Sequence, residues 1–314
     1  MKKPASLFEP PAGRDPLYQM LRDANHASMR AGKDVCDKLW DLFRDKAEAQ
    51  FASGFTTDVV GRFWEMYLAV GLQIIGYDIQ CAGAGPDIGI VHNGVRIWLE
   101  AVTLNNGEAG NPNTVRDFDG AGGVEYVSDG QVLLRYLSAI QGKMSEKYAK
   151  WLTAGTIQKE DCFVIAINSA KIVRDVVLSD PPSLLRVAYP VGTPYVAFDA
   201  ADSESETILH YMTRFSVPKK GATDINIPTG LFLRDDCVPI SALLGSGASP
   251  WQCTSFDFCK TLIVAPNPRA TTPLPPDFQL PGRHFPATLS GDSSETVYVD
   301  LRGVTISYPT IFRN

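Results

Sequence analysis

Apolar residues recur at helical spacing through the first part of the chain. Leu17, Met20, Leu21, Val35, Leu39, Leu42 and Phe43 follow the i, i+3, i+4 rule and predict one or two helices over residues 17–51, broken near Gly32. The preceding residues carry Pro4, Pro10, Pro11, Gly13 and Pro16 and read as an irregular arm. Thr56-Thr57-Asp58 offers an N-cap for a second helical stretch. That stretch holds Val59, Val60, Phe63, Trp64, Tyr67, Leu68, Val70 and Ile74 and ends at Gly76, a residue suited to stopping a helix.

The period then changes from helical to two. Residues 88–92 (Ile-Gly-Ile-Val-His) and 95–102 (Val-Arg-Ile-Trp-Leu-Glu-Ala-Val) flank Asn93-Gly94, the strongest short hairpin signal. A two-residue loop there fixes the register. Ile90 opposes Ile97 and Ile88 opposes Leu99 on one apolar face, while Asp87 opposes Glu100 on the other. Residues 104–131, rich in Gly, Asn and Asp, form a long loop of the kind that is functional or mobile. Helical spacing returns over 132–152 through Leu133, Leu137, Ile140, Met144 and Tyr148. Residues 162–168 (Cys-Phe-Val-Ile-Ala-Ile-Asn) read as a short buried strand. Beyond about residue 180, short apolar stretches such as 194–198, 230–233 and 261–265 alternate with Pro and Gly, so this part is read as β-rich with long loops. The expected fold is α/β (α+β), a mixed sheet flanked by helices. It divides into an N-terminal arm and helices (1–54), an α/β core (55–178) and a β-rich C-terminal region (179–314).

Composition narrows the class. Hydrophobic residues make up 45% and charged residues 20% of 314, which excludes disorder, coiled coil and collagen. No apolar run approaches the ~20 residues that span a bilayer. Met1-Lys2-Lys3-Pro4-Ala5 lacks the apolar segment of a signal peptide. The cysteines, at 36, 81, 162, 237, 253 and 259, form no CxxC. They suggest neither a disulfide framework nor a zinc site, and a reducing cytoplasm is expected. The net charge of −6 argues against a general nucleic-acid coat but leaves room for a local basic groove. Residues 131–175 supply one, with Arg135, Lys143, Lys147, Lys150, Lys159, Lys171 and Arg174 against Glu146, Glu160, Asp161 and Asp175.

Several familiar motifs fail. Gly83-Ala-Gly85 lacks the third glycine and the following helix of a dinucleotide fingerprint, and Gly142-Lys143 lacks the remainder of a P-loop. There is no Gly-x-Ser-x-Gly elbow, and His26, His92, His210 and His284 have no metal-ligand spacing. What remains is acidic. Like charges opposite one another in a hairpin destabilise it unless a cation or partner neutralises them, so the Asp87/Glu100 pair calls for an explanation. Glu65, on the strongest helix, is a third carboxylate. Three converging carboxylates are the oxygen donors that Mg²⁺ takes, with open positions for water and phosphate. Structural alternatives exist for each: a turn cap for Asp87, Arg96 or Arg135 as a partner for Glu100, and Arg62 as a partner for Glu65.

Pro86-Asp87, then Glu100-Ala101-Val102 on the next strand, with Glu65 on the preceding helix, resembles the PD-(D/E)XK nuclease superfamily, the restriction-endonuclease-like fold. The resemblance covers roughly residues 55–170, in the order helix, hairpin, helix, strand. It implies that Asp87 and Glu100 bind Mg²⁺ or Mn²⁺, that Glu65 assists, and that a lysine positions or activates the attacking water. The usual lysine, two residues after the Glu, is replaced by Val102. No lysine occurs between Lys46 and Lys143, and in this superfamily the lysine migrates to a neighbouring helix. The resemblance therefore points to Lys143 first and Lys147 second, with Arg135 and Lys147 as phosphate-binding cations. The 134–143 helix and the Glu-Ala-Val-Thr strand are also similar to a group of bacterial proteins that carry such a strand. The implied function is metal-dependent phosphodiester hydrolysis, with DNA as the nucleic-acid partner. The alternatives are a nucleic-acid-binding or structural protein that keeps the fold without turnover, and a Mg²⁺ hydrolase of a small phosphorylated molecule. No membrane partner is expected. The oligomeric state is left open, with a homodimer among the compatible assemblies.

Overall fold

In a computed structural model, residues 3–81, 83–116, 128–172, 181–197, 208–221, 223–253, 262–289, 296–301 and 304–309 are described. The N-terminal arm has no regular structure, yet Leu7 and Phe8 are buried and Phe8 stacks on Tyr18 and meets Phe55 edge-on. Helices α1 (Pro16–Asp23) and α2 (Ala27–Phe43) follow. The break falls at Ala24, in the left-handed region with φ 46°, and not near Gly32. Gly32 lies inside α2, where a Cβ would come within 2.6 Å of the Pro250 carbonyl oxygen. That glycine permits a close approach of the chain and does not end the helix.

A short α3 (Phe51–Phe55) leads into α4 (Val59–Ile74). Asp58 caps α4 by accepting from the Gly61 N–H, as its position before the apolar run implied. Asp15 caps two helices at once, accepting from Leu17 N in α1 and from Val59 N in α4. Helix α4 is buried on nearly every side, so it is a core helix rather than an amphipathic surface one.

The strands β1 (Ile79–Gln80), β2 (Ile88–His92) and β3 (Val95–Thr103) form an antiparallel meander. The β2–β3 register pairs Ile88 with Leu99 and Ile90 with Ile97, as the Asn-Gly turn dictates. Asn93 and Gly94 have φ values of 48° and 81°, the double left-handed geometry of a type I′ turn. Helix α5 (Asp129–Gly142), a π-helical turn (Lys143–Tyr148) and α6 (Ala149–Thr153) then cross to β4 (Cys162–Asn168), which pairs parallel to β3.

After α7 (Ser183–Ala188) come two hairpins. These are β5 (Val191–Ala197) with β6 (Ile208–Thr213), and β7 (Ser216–Lys219) with β8 (Ile225–Pro228). Leu231–Leu233, an apolar stretch in the region read as β-rich, is a buried 3₁₀ turn. The chain then returns to the main sheet through β9 (Ala242–Ser246), β10 (Ile263–Pro266) and β11 (Arg283–His284). It ends in a three-stranded sheet of β12 (Ala287–Leu289), β13 (Thr296–Leu301) and β14 (Val304–Pro309).

The main sheet is seven-stranded and mixed, in the order β1-β2-β3-β4-β9-β10-β11. Strand β4 pairs parallel to β9, so residues on the two sides of position 178 form neighbouring strands. Every residue of β4 and β9 is buried, the signature of strands covered on both faces. Ile88, Ile90, Ile97 and Leu99 pack with α1 to α4 on one side, and Trp98, Phe163 and Ile165 pack with α5 and α7 on the other. No helix among the described residues is long and apolar enough to cross a membrane. Of Trp251 and Phe256, which the sequence reads as core aromatics sooner than as base-stacking ones, the first is half-buried and the second lies outside the described residues.

Candidate metal and phosphate site

Glu100 sits mid-strand in β3 between two paired strands and is only 4% exposed. Asp87, just before β2, is brought opposite it by the hairpin register. Its Oδ2 accepts the Ala101 N–H at 2.7 Å, which ties the carboxylate to the backbone of the strand that carries Glu100. The two carboxyl groups face each other closely enough for each to act on the other's ionisation. Glu100 Oε1 accepts from Lys143 Nζ at 2.5 Å, whereas Glu100 Oε2 is buried and meets no donor among the described residues. Glu65 enters from α4, 7% exposed, with its Oε2 paired to Arg62 Nη1 at 2.7 Å.

Electrostatics follow from this crowding. Burial first, and Asp87 second, push the Glu65 pKa up to about 7 against the pull of Arg62. Glu100 is raised by burial and then by Asp87, with Lys143 opposing. Asp87 is raised by burial, against the Ala101 N–H and then Lys143. Desolvated carboxyl groups of like charge hold protons tightly unless a cation replaces them.

Glu65 and Asp87 open into a pocket of about 370 Å³ whose lining also includes Asp58, Arg62, Lys143 and Lys171, whereas Glu100 is not part of that lining. Lys171 pairs with the helix-capping Asp58 at 2.8 Å. Thr103 Oγ1, nearby on β3, is buried without a partner among the described residues.

Of the expected residues, Glu65, Asp87, Glu100 and Lys143 converge. The two others do not. Lys147 is exposed on the π-helical turn and outside the pocket lining. Arg135 lines a separate cleft, because eight residues along an α-helix turn the side chain by roughly 80° from that of Lys143. Neither Arg96 nor Arg135 is the partner of Glu100; that partner is Lys143. Arg62 does pair with Glu65, so the structural alternative raised for that residue is met in part.

Three carboxylates do not form a ready ligand set. Among the described residues no group of three or more His, Cys, Asp or Glu side chains is arranged to hold a metal ion. Asp87 and Glu100 nevertheless fit Mg²⁺. The buried, donorless Glu100 Oε2 is the kind of oxygen such an ion satisfies, and Mg²⁺ is held by one or two carboxylates with water and phosphate completing its shell.

Lys171 was visible in the sequence only as part of a charge count. A sharper signal is its position just past the carboxyl end of β4, parallel to β3, since ligands gather beyond the carboxyl ends of parallel strands. No protein-family model, curated protein or solved structure matches this chain.

Proposed function

We propose that the chain is a metal-dependent nuclease of the PD-(D/E)XK type that hydrolyses phosphodiester bonds of DNA, with Mg²⁺ or Mn²⁺ held by Asp87 and Glu100. The observation that carries this reading is the 2.5 Å contact of Lys143 Nζ with Glu100 Oε1, made from a helix although the usual lysine position on the strand is Val102. The order α4, the β2–β3 hairpin, α5 and parallel β4 supports it, being the order that the resemblance implies.

When bound, a divalent ion supplies a Lewis acid for phosphate and lowers the pKa of water. The chain's own groups divide the remaining work. Asp87, fixed by the Ala101 N–H, and Glu100 present acceptor oxygens to the ion. Lys143 would orient a water and offer positive charge where negative charge develops on the phosphate. Arg62 and Lys171, on the pocket wall, suit flanking phosphates, with Arg62 supplying a planar fork and Lys171 a point charge.

A second reading keeps the fold without turnover, as a nucleic-acid-binding or structural protein. Val102 at the motif position, which leaves the strand without its usual lysine, favours it. Cleavage of supercoiled plasmid and single-stranded DNA with Mg²⁺ or Mn²⁺ separates the two. Lys143→Ala should lower the rate by about 10²–10⁴-fold, the range for one acid–base or electrostatic group. Lys147→Ala should leave it unchanged, and Val102→Lys should partly rescue Lys143→Ala. Equal rates in parent and Lys143→Ala would reject the displaced-lysine mechanism. A parent protein inactive on every nucleic acid, yet stabilised by Mn²⁺, would favour the second reading.

A further inference from the structure

On the far side of the Lys143 helix lies a larger cleft, of about 540 Å³, between α5 with its π-helical turn and the β7–β8 hairpin. Its volume is in the range of small-molecule sites. Leu134, Leu137, Ile227 and Leu231 give it aliphatic walls, and Arg135 and Lys219 supply positive charge. A third cation in the lining, Arg234, is neutralised by Asp236, and Glu146 is the one acid in the lining. Arg135 is the unusual member. Its Nε is buried and meets no acceptor among the described residues, and its Nη1 lies so close to Gly107 that a Cβ there would come within 2.6 Å. The side chain is half-buried, and a buried Nε–H without an acceptor costs free energy. Burial weakens its hold on its proton, with only Glu108 acting in the other direction.

We propose that this cleft binds a small organic oxyanion, a phosphate or carboxylate head on an aliphatic body. Arg135 and Lys219 would take the head, and Leu134, Leu137, Ile227 and Leu231 the body. The charge fits an anionic group, because Arg135 and Lys219 in the lining face one acid there, Glu146. The guanidinium fork suits either head, since both present paired oxygens. The aliphatic walls, with no aromatic ring in the lining, suit a chain better than a stacked base. This site is independent of the nuclease reading, because it uses none of the carboxylate pocket's residues.

Calorimetric titration of the full chain tests it, with hexyl phosphate, heptanoate, inorganic phosphate and hexanol as probes. Hexyl phosphate or heptanoate should bind more tightly than inorganic phosphate and hexanol, and the better of the two identifies the head. Arg135→Gln should weaken that binding by tenfold or more. Arg135→Lys should recover part of it, because charge survives while the fork is lost. Ser138→Trp, an exposed helix position lining the cleft, should block the site without disturbing the core, which keeps the test valid if Arg135→Gln fails to fold. Lys143→Ala should bind as the parent does. No binding of any probe, inorganic phosphate binding as tightly as hexyl phosphate, or unchanged binding in Ser138→Trp would each overturn the proposal. A parent protein that cleaves no DNA yet binds the probes in the cleft would count against the nuclease reading alone.

Discussion

Glu100 has apolar neighbours along β3 and pairs with Ile165 of β4, and Lys143 reaches it from a helix some forty positions later in the chain. Removing one partner of a buried ion pair strands the other charge. Lys143→Met should therefore destabilise the fold by about 3 kcal/mol at pH 9, above the pKa of about 8 that Glu100 has beside Lys143, and by less at pH 6, where Glu100 is protonated with or without the lysine. Adding Glu100→Gln should restore much of the loss, and denaturant melts of the four proteins at both pH values check this. Glu65 provides a second test. Its pKa rises from 4.5 to about 7 on folding, so between those values the folded chain binds more protons than the unfolded one. Stability must then fall as pH rises through that window. With metal chelated, Tm should decline from about pH 5 to pH 7, and Glu65→Gln should flatten the decline.

Among the elements, the β2–β3 hairpin positions the site. Its turn needs two consecutive left-handed residues, which Asn93 and Gly94 provide. Gly94→Val should cost about 1–2 kcal/mol, the penalty for a side chain in that region. It should also shrink the Tm gain with Mn²⁺, because Asp87 owes its place opposite Glu100 to this register. Asp87→Ala should abolish that gain. The turn, the register and the capping of α4 by Asp58 were legible because each rests on chemistry confined to a few neighbouring residues. The break in the first helices was not. Gly32 reads as a helix breaker until Pro250 is seen against it. The two-residue strand β1 and the π-helical turn also leave no local pattern, and the latter is a geometry that recurs at functional sites.

For the whole molecule, pairing across distance dominates. Asp129 at the start of α5 holds both Arg186 of α7 and Arg214, just past β6. Asp129→Asn should lower stability by about 1–3 kcal/mol, the range for lost charge-assisted hydrogen bonds, measurable by denaturant melts. A fragment of residues 1–178 would leave β4, fully buried in the intact chain, without its neighbour β9. It should expose apolar surface and bind a hydrophobic dye that the full chain does not.

The residues alone determined the alternation of periods, the hairpin and its register, and hence the meeting of Asp87 with Glu100. They also left Lys143 as the first lysine after Lys46 able to serve that pair. Only the tertiary structure decided that β9 to β11 complete the sheet begun by β1 to β4, and that Arg135 and Lys147 stand apart from the carboxylates. The physical reason is one of range. Turns, caps and strand alternation follow from sterics and hydrogen bonds between near neighbours, whereas the partner of a buried charge is set by whatever the packed core brings within a few ångströms.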